Sequence, residues 1–170
     1  MEDAAAVPDA KTVAGAVVRR YLSDDRAAVI ALWRAVFPDD PPRNEPGLLL
    51  DRKLAQDDGL VFVADDSGEV VGAVVVGYDG VRGWIYHLAA DPARRGEGIG
   101  TALMRAAEAE LTARGCPKIN LQVRNTNAGV IAFYEALGYS VDPVTSMGRR
   151  LGGGAVAAAP TAPSCRSGGQ

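Results

Sequence analysis

A glycine-rich turn is the part of the sequence that most clearly suggests chemistry. Gly96, Gly98 and Gly100 stand at alternate positions after the arginine pair 94–95, and a helical pattern begins at Ile99. In a strand–turn–helix connection, several backbone N–H groups point to one place before the positive end of the helix, which favours phosphate or pyrophosphate. The arginines add positive charge. The alternative is a plain connection whose glycines only allow a tight turn.

The spacing of these glycines argues against two common nucleotide-binding motifs. The third glycine comes one residue too early for Gly-x-Gly-x-x-Gly, and no Gly-Lys-Ser/Thr follows as in a P-loop. A Rossmann-type domain, the remaining alternative of this kind, needs an acidic ribose-binding residue about 20 positions later. The segment 119–123 offers only Asn120 and Gln122 at that distance.

A second segment places an asparagine and a tyrosine on one helix face. Asn127 and Tyr134 are seven residues apart, so they project from nearly the same face, two turns apart. On this pattern alone, Tyr134 is interpreted as a core tyrosine whose hydroxyl reaches the rim of the fold.

The elements that must position these residues are those of a mixed α/β domain with one sheet. Strands are predicted over residues 17–22, 60–64, 70–78, 84–90 and 119–123, with one or two more between 139 and 149. The first helix is predicted to be capped by Ser23 and ended by Pro38. Further helices are predicted over residues 46–56, 99–114 and 127–137.

Composition bounds the class of protein. The 170 residues are 48% hydrophobic and 23% charged, which is ordinary for one globular domain. No apolar run approaches the roughly 18 residues of a membrane span. The acidic start lacks the features of a secretory signal, so we expect a cytoplasmic protein that contacts no membrane. The net charge of -3 argues against nucleic-acid binding.

The cysteines, the histidine and the two ends limit the remaining possibilities. Cys116, Cys165 and His87 are too few and too scattered for a disulfide framework or a His/Cys metal site, so no metal is expected. Residues 1–15 and 152–170 lack apolar periodicity and are predicted to be flexible tails. The folded body is predicted to span residues 16–151.

Together the two segments resemble the signature motifs of the GNAT superfamily of N-acetyltransferases. The resemblance covers about residues 17–150. It rests on Asp91-Pro92, on Arg95-x-x-Gly98-x-Gly100, and on Asn127-x(6)-Tyr134-Glu135-x-Leu137-Gly138-Tyr139. Residues 69–90 and 114–119 further resemble the YpeA-type bacterial acetyltransferases.

This resemblance implies a fold and a cosubstrate. The fold would be α/β (α+β), with a single mixed, mostly antiparallel sheet of six or seven strands, splayed between the fourth and fifth, and four helices. The cosubstrate would be acetyl-coenzyme A, with a primary amine as acceptor and no metal. A homodimer is left open.

The resemblance also implies a role for each motif residue. The pyrophosphate would be bound by the backbone of Arg95, Gly96, Glu97, Gly98, Ile99, Gly100 and Thr101. The pantetheine would pair with Leu88, Ala89 and Ala90 as an added strand. The amide of Ala90 or Leu88 would donate to the thioester carbonyl. Asn127 would contact the cofactor arm, and Tyr134 would protonate the departing thiolate.

One departure from the family pattern concerns the general base. Some relatives carry a glutamate where this sequence has Gln122, which cannot take up a proton. Strand alternation would place Trp84, Tyr86 and Leu88 on one face and Ile85, His87 and Ala89 on the other, so His87 is predicted to be structural. A water relay, or an amine that arrives deprotonated, stays open. So does a domain that binds acetyl-coenzyme A without turnover, as a sensor or partner module.

The stretch 35–58 is expected to determine acceptor specificity. It carries six acidic residues against three basic ones. An acidic rim would suit a cationic amine, but solvated surface charges are the favoured interpretation. The acidic residues are Asp39, Asp40, Glu45, Asp51, Asp57 and Asp58.

Overall fold

The computed structural model describes residues 12–151 and divides the chain into two units. All helices and strands of the described residues lie in the first unit, Met1–Tyr139. In the second, Ser140–Gln170, residues 140–151 form neither helix nor strand. The prediction of one or two strands between 139 and 149 was therefore wrong. Pro143 interrupts this stretch and has no amide to donate to a strand ladder, and Val141 is 81% exposed.

The first unit is built on one six-stranded sheet, as predicted. The strands run in sequence order across the sheet, and every neighbouring pair is antiparallel except the last, which is parallel. They are β1 (Thr12–Val13), β2 (Ala16–Arg20), β3 (Val61–Asp66), β4 (Glu69–Tyr78), β5 (Gly83–Ala90) and β6 (Ile119–Leu121).

Strand β1 lies inside the segment that was predicted to be a flexible tail. Thr12 pairs with Val17 and Val13 with Ala16, through a tight turn with Gly15 at a φ of 86°. A two-residue strand has no periodicity for sequence analysis to detect, so the ordered sheet begins earlier than the predicted residue 16. Residues 1–11 and 152–170, the remainder of the predicted tails, lie outside the described residues.

Four helices cover the sheet, as predicted. They are α1 (Arg26–Val36), α2 (Pro46–Leu54), α3 (Ile99–Ala113) and α4 (Ala128–Ala136). One apolar cluster joins α1 and Leu50 of α2 to one face of the sheet, and a second joins α3 and Tyr134 of α4 to the other. The result is a three-layer arrangement with a core on each side of the sheet.

The start of α1 differs from the predicted Ser23 cap. Ser23–Asp25 form a 3-10 turn, and the Asp25 carboxylate accepts a hydrogen bond of 2.7 Å from the Leu22 amide. Arg19 of β2 donates to both oxygens of Asp25, at 2.7 and 2.9 Å. Burial alone would raise the pKa of this carboxyl, but these hydrogen bonds outweigh burial and lower it. Asp25 thus fastens α1 to the sheet.

Strands β5 and β6 separate soon after they meet. They pair only from Gly83 with Ile119 to Ile85 with Leu121, whereas β5 continues to Ala90. Residues 86–90 therefore have no strand neighbour on that edge within the described part of the chain. We call this uncovered edge the strand gap. The strand gap corresponds to the splay that was predicted between the fourth predicted strand, 84–90, and the fifth, 119–123.

A bulge interrupts β5 beside the strand gap. Ala73 of β4 pairs with Ala89 of β5, and Val75 pairs with Tyr86. His87 and Leu88 therefore both lie opposite Val74, as the two residues of a β-bulge. His87 has a φ of 47°, a left-handed conformation that costs a residue other than glycine about 1–3 kcal/mol. The predicted alternation was wrong because the extra residue reverses it: Ile85 and Leu88 contact the α3 side, and Ala89 the α1 side.

Candidate active site

The glycine-rich turn connects the end of the strand gap to α3. A 3-10 turn over Pro92–Arg94 follows β5, and Asp91 accepts a hydrogen bond from the Ala93 amide at 2.9 Å. Gly96 and Gly98 then adopt φ angles of 84° and 82°. This left-handed conformation is why the turn requires glycine at both positions. Gly98 is the N-cap residue of α3.

Most backbone amides of this turn have no hydrogen-bond partner among the described residues. The first amides of a helix have no intrahelical acceptor, and no backbone hydrogen bond to another described residue is recorded for these amides. The Glu97 amide is the exception, because it donates to the Arg94 carbonyl at 3.4 Å. The unpartnered amides belong to Arg95, Gly96, Gly98, Ile99, Gly100 and Thr101.

The two arginines before the glycines differ in role. Arg94 is held by Asp66 at 2.7 Å, by Glu97 at 2.8 Å and by the Ala14 carbonyl at 2.8 Å. Arg95 is exposed and makes no ion pair with another described residue. Anion binding by Arg95 stays a prediction, whereas the Arg94 guanidinium is already engaged within the protein. Arg94 ties the glycine-rich turn to Asp66 of β3 and to Ala14, which follows β1.

Space around the glycines differs from one position to the next. A Cβ on Gly96 would meet no atom within 4 Å, whereas one on Gly98 would lie 3.2 Å from Val13 Cγ1 of β1. A Cβ on Gly100 would lie 3.4 Å from Phe133 of α4. The space beside the backbone is therefore empty at Gly96. It is occupied by a β1 side chain at Gly98 and by an α4 side chain at Gly100.

The residues predicted to pair with an extended ligand lie along the strand gap. Leu88 and Ala90 are partly buried against the cluster that contains Tyr134, and Ala89 is buried against the α1 side. A strand edge that lacks a neighbour can accept another extended chain. This edge leads directly into the glycine-rich turn.

Tyr134 combines both roles considered from the sequence. Its ring is 9% exposed and packs edge-on against Phe133 and Tyr139, with centroid distances of 5.1 and 5.7 Å. Its hydroxyl keeps solvent contact and has no hydrogen-bond partner among the described residues. Burial raises the pKa of the phenol to about 12. The ring is part of the core, and the hydroxyl is free to donate.

Asn127 is engaged at the start of α4. It is the N-cap residue, and its side-chain oxygen accepts from the Val130 amide at 3.3 Å. It lies outside the helix proper, so the predicted two-turn spacing on one face does not describe its position. The described contacts give Asn127 a capping role, and its side chain is exposed.

His87 contacts a carboxylate that the sequence did not single out as its partner. Its Nε2 lies 3.0 Å from Asp40 Oδ2, and its ring packs edge-on against Trp33 and Phe37 of the α1 side. Asp40 Oδ1 also lies 3.6 Å from Nη2 of Arg124, three residues after β6. No sequence pattern could reveal this pair, because it depends on the bulge and on contacts across 47 positions.

The acidic stretch is largely neutralised by ion pairs. Glu45 contacts Arg34 at 2.7 Å and accepts from the Leu48 amide at 2.9 Å, and these two hydrogen bonds lower its pKa to about 2. Asp51 contacts Arg26, and Asp58 contacts Lys53. Asp40 is therefore the acidic residue of this stretch that contacts the strand gap.

Two features that the described residues lack limit the class of site. Residues 12–151 contain no group of three or more His, Cys, Asp or Glu side chains placed to hold a metal ion. No helix among the described residues is long and apolar enough to cross a membrane.

The sequence matches the model of the acetyltransferase (GNAT) family over residues 26–139. The chain belongs to this family. Within it, an acetyltransferase of Sodalis glossinidius is 46% identical over 135 residues, which cover 79% of this chain and 94% of that protein. This GNAT chain is therefore an acyltransferase, as predicted, which argues against the alternative of a sensor or partner module without turnover.

Solved structures agree with the GNAT fold. A putative acetyltransferase from Agrobacterium tumefaciens has a TM-score of 0.64 and 24% identity, covering 78% of this chain and 99% of that one. An aminoglycoside N-acetyltransferase in complex with CoA has a TM-score of 0.64 and 17% identity, covering 78% and 93%. At these identities the likeness concerns the fold.

Proposed function

We propose that this GNAT enzyme transfers an acetyl group from acetyl-coenzyme A to a primary amine. The observation that carries the proposal is the row of unpartnered amides at the glycine-rich turn, directly after the strand gap. A pyrophosphate needs several converging N–H donors and a cation, and the turn offers the amides and the free Arg95. The open space at Gly96 is where a ligand can approach the backbone.

The residues that would hold the cosubstrate fall into two groups. Arg95 and the amides of Gly96, Gly98, Ile99, Gly100 and Thr101 bind the pyrophosphate. Leu88, Ala89 and Ala90 bind the pantetheine through their backbone along the strand gap, as an added strand would pair. Glu97 has its amide and carboxylate engaged within the turn, so its contribution is to brace Arg94.

Acetyl-coenzyme A supplies the activated thioester. The chain supplies hydrogen-bond donors to the two thioester atoms on which negative charge develops, the carbonyl oxygen and the sulfur. The amide of Leu88 or Ala90 donates to the thioester carbonyl, where negative charge develops as the amine attacks. The Tyr134 hydroxyl donates to the sulfur as the carbon–sulfur bond breaks. Leu88, Ala90 and Tyr134 border the same apolar cluster, which favours their acting on one group.

The raised pKa of Tyr134 refines this role. Burial raises the pKa of Tyr134 to about 12, above the roughly 8.5 of a free thiol, so complete transfer of its proton to a thiolate is uphill. Tyr134 therefore acts first as a hydrogen-bond donor to the developing thiolate, and its proton moves as negative charge accumulates on sulfur.

The acceptor is proposed only as a primary amine, on a small molecule or a protein. The YpeA-type resemblance of residues 69–90 and 114–119 names a subgroup without naming an acceptor. One solved relative of this fold is an aminoglycoside acetyltransferase. We also propose that the protein is cytoplasmic and binds no nucleic acid. A homodimer is left open.

The test is release of free thiol from acetyl-coenzyme A with a panel of amines: polyamines, aminoglycosides, amino acids and lysine-containing peptides. We expect saturable, amine-dependent thiol release with at least one class. A melting-temperature shift with acetyl-coenzyme A, about 2.7 kcal/mol of stabilisation at 100 times its dissociation constant, is expected independently of the amine. No shift at millimolar ligand would contradict the proposal.

A further inference from the structure

His87 occupies an unusual backbone position next to the residues proposed to act on the thioester. It is the first of the two bulged residues of β5, in a left-handed conformation, and Leu88 follows it directly. Such conformations in residues other than glycine persist where the surrounding structure imposes them, and they cluster at functional sites. The bulge aims the imidazole to the α1 side of the sheet, at Trp33 and Phe37.

Asp40 orients this imidazole and contacts both sides of the strand gap. Its Oδ2 lies 3.0 Å from His87 Nε2 on β5, and its Oδ1 lies 3.6 Å from Arg124, beyond β6. A carboxylate at Nε2 favours the tautomer that carries its proton there, which leaves Nδ1 with a lone pair. Nδ1 has no hydrogen-bond partner in the described part of the chain. The pair has the arrangement of a carboxylate that holds a general base.

We propose that His87 takes the proton of the acceptor amine and that Asp40 positions His87 and attracts the acceptor as an ammonium. This inference rests on the proposed function. It supplies the base that Gln122 cannot be. Arg124 shows that the carboxylate can contact a cation while it holds the His87 imidazole: Nη2 of Arg124, whose side chain is 69% exposed, lies 3.6 Å from Asp40 Oδ1. An acceptor ammonium can take its place.

The proton and bond changes balance. The acceptor ammonium first gives one proton to His87 Nδ1, which passes it to solvent. The neutral amine then forms the new carbon–nitrogen bond and gives its second proton to His87 Nδ1, while the carbon–sulfur bond breaks. The sulfur receives a proton from Tyr134. Exchange with solvent returns His87 to its neutral form and Tyr134 to its protonated form, so the products are an amide and a free thiol.

Two variants separate this role from a structural one. His87→Asn keeps a residue that tolerates the left-handed conformation and can donate to Asp40, but removes the basic nitrogen. Asp40→Asn removes the charge that attracts the amine. Asp39→Asn is the matched control, because Asp39 is exposed and makes no recorded contact with a described residue.

The kinetic readout uses the amine that gives the fastest thiol release in the panel above. We expect His87→Asn to lower kcat/KM near neutral pH by about 10²-fold, with acetyl-coenzyme A affinity unchanged. The deficit should shrink as pH rises, because more of the amine then arrives neutral. The charged groups near His87 are Asp40 and Arg124. Asp40→Asn should raise KM for the amine at least tenfold, and Asp39→Asn should match the wild type.

A second readout needs no turnover. His87 is the only histidine of the chain, so its imidazole gives a single set of nitrogen NMR signals in the untagged protein. We expect the proton on Nε2 and the lone pair on Nδ1. A proton on Nδ1, or a His87→Asn variant with wild-type kinetics at every pH, would overturn the inference while leaving the proposed function intact. A wild type that neither binds acetyl-coenzyme A nor releases thiol would overturn both.

Discussion

Tyr134 shows how one residue serves packing and chemistry with different atoms. Its ring fills the core between Phe133 and Tyr139, while its hydroxyl remains free. Because burial raises the pKa of the phenol to about 12, the hydroxyl keeps its proton across any assay between about pH 6 and 10. It can therefore donate to sulfur over this whole interval.

Replacing Tyr134 by phenylalanine separates the two functions. Tyr134→Phe keeps the ring and removes the donor, so we expect kcat to fall about 10²-fold while acetyl-coenzyme A affinity and melting temperature stay near wild type. Steady-state kinetics and a thermal melt on the same preparation measure both. A stability loss with normal turnover would instead assign Tyr134 to the core alone.

The different roles of Arg94 and Arg95 could not be assigned from the sequence alone. The sequence places Arg94 and Arg95 side by side before the glycines and gives no reason to distinguish them. The structure does, because Arg94 meets Asp66, 28 positions away, and Arg95 meets no ion-pair partner among the described residues. Long-range partners of this kind cannot be derived from local spacing.

At the scale of elements, the sequence predicted most of what positions the site. The apolar periodicity of the predicted helix 99–114 located α3 to within one residue, and the short apolar segments located β3 to β6. The prediction of which sheet face each β5 side chain occupies was wrong, because one inserted residue at the bulge moves every side chain beyond it to the opposite face. That single irregularity turned His87 toward Asp40, so the candidate base was not predictable from the pattern.

Asp25 anchors an element, and its effect depends on pH. Its pKa is lowered from the ordinary 3.8, so the stabilisation is present at higher pH and is lost as pH falls through the folded-state pKa. We expect Asp25→Asn to cost about 2 kcal/mol near neutral pH, from the lost charged hydrogen bonds to Arg19 and Leu22.

Urea unfolding at several pH values measures this effect. The free energies of wild type and Asp25→Asn should converge once the carboxyl is protonated in both states, below its lowered pKa. Asp24→Asn is the control, because Asp24 is exposed and makes no recorded ion pair with a described residue. A difference between wild type and Asp25→Asn that stayed constant at all pH values would contradict a charge-based anchor.

At the scale of the whole molecule, composition and element order predicted one α/β sheet with four helices, and the family match agrees with that fold. The boundaries were less predictable. Residues 12–13 of β1 carry no local pattern that predicts a strand, and the hydrogen bond that Arg94 donates to the Ala14 carbonyl spans 80 positions. One or two strands were predicted between residues 139 and 149 from the local sequence, which does not say whether a neighbouring strand exists.

Shortening the chain tests the role of β1. Removing residues 1–11 should leave the melting temperature unchanged. Removing residues 1–15 should lower it by roughly 2–4 °C, for a loss of about 1 kcal/mol, because the Arg94 hydrogen bond to Ala14 and the pairing of β1 with β2 are lost. Equal melting temperatures for the two shortened chains would show that β1 does not brace the glycine-rich turn.

The most direct test of the central claim is the acetyl-coenzyme A dissociation constant of two glycine variants, measured by calorimetry. Gly96 and Gly80 have φ angles of 84° and 85°, and a Cβ at either meets nothing within 4 Å. Gly96→Ala and Gly80→Ala should therefore lose similar stability, about 1 kcal/mol. Only Gly96→Ala should weaken binding, by tenfold or more, because its Cβ enters the space proposed for the pyrophosphate. Wild-type affinity in Gly96→Ala would contradict the account.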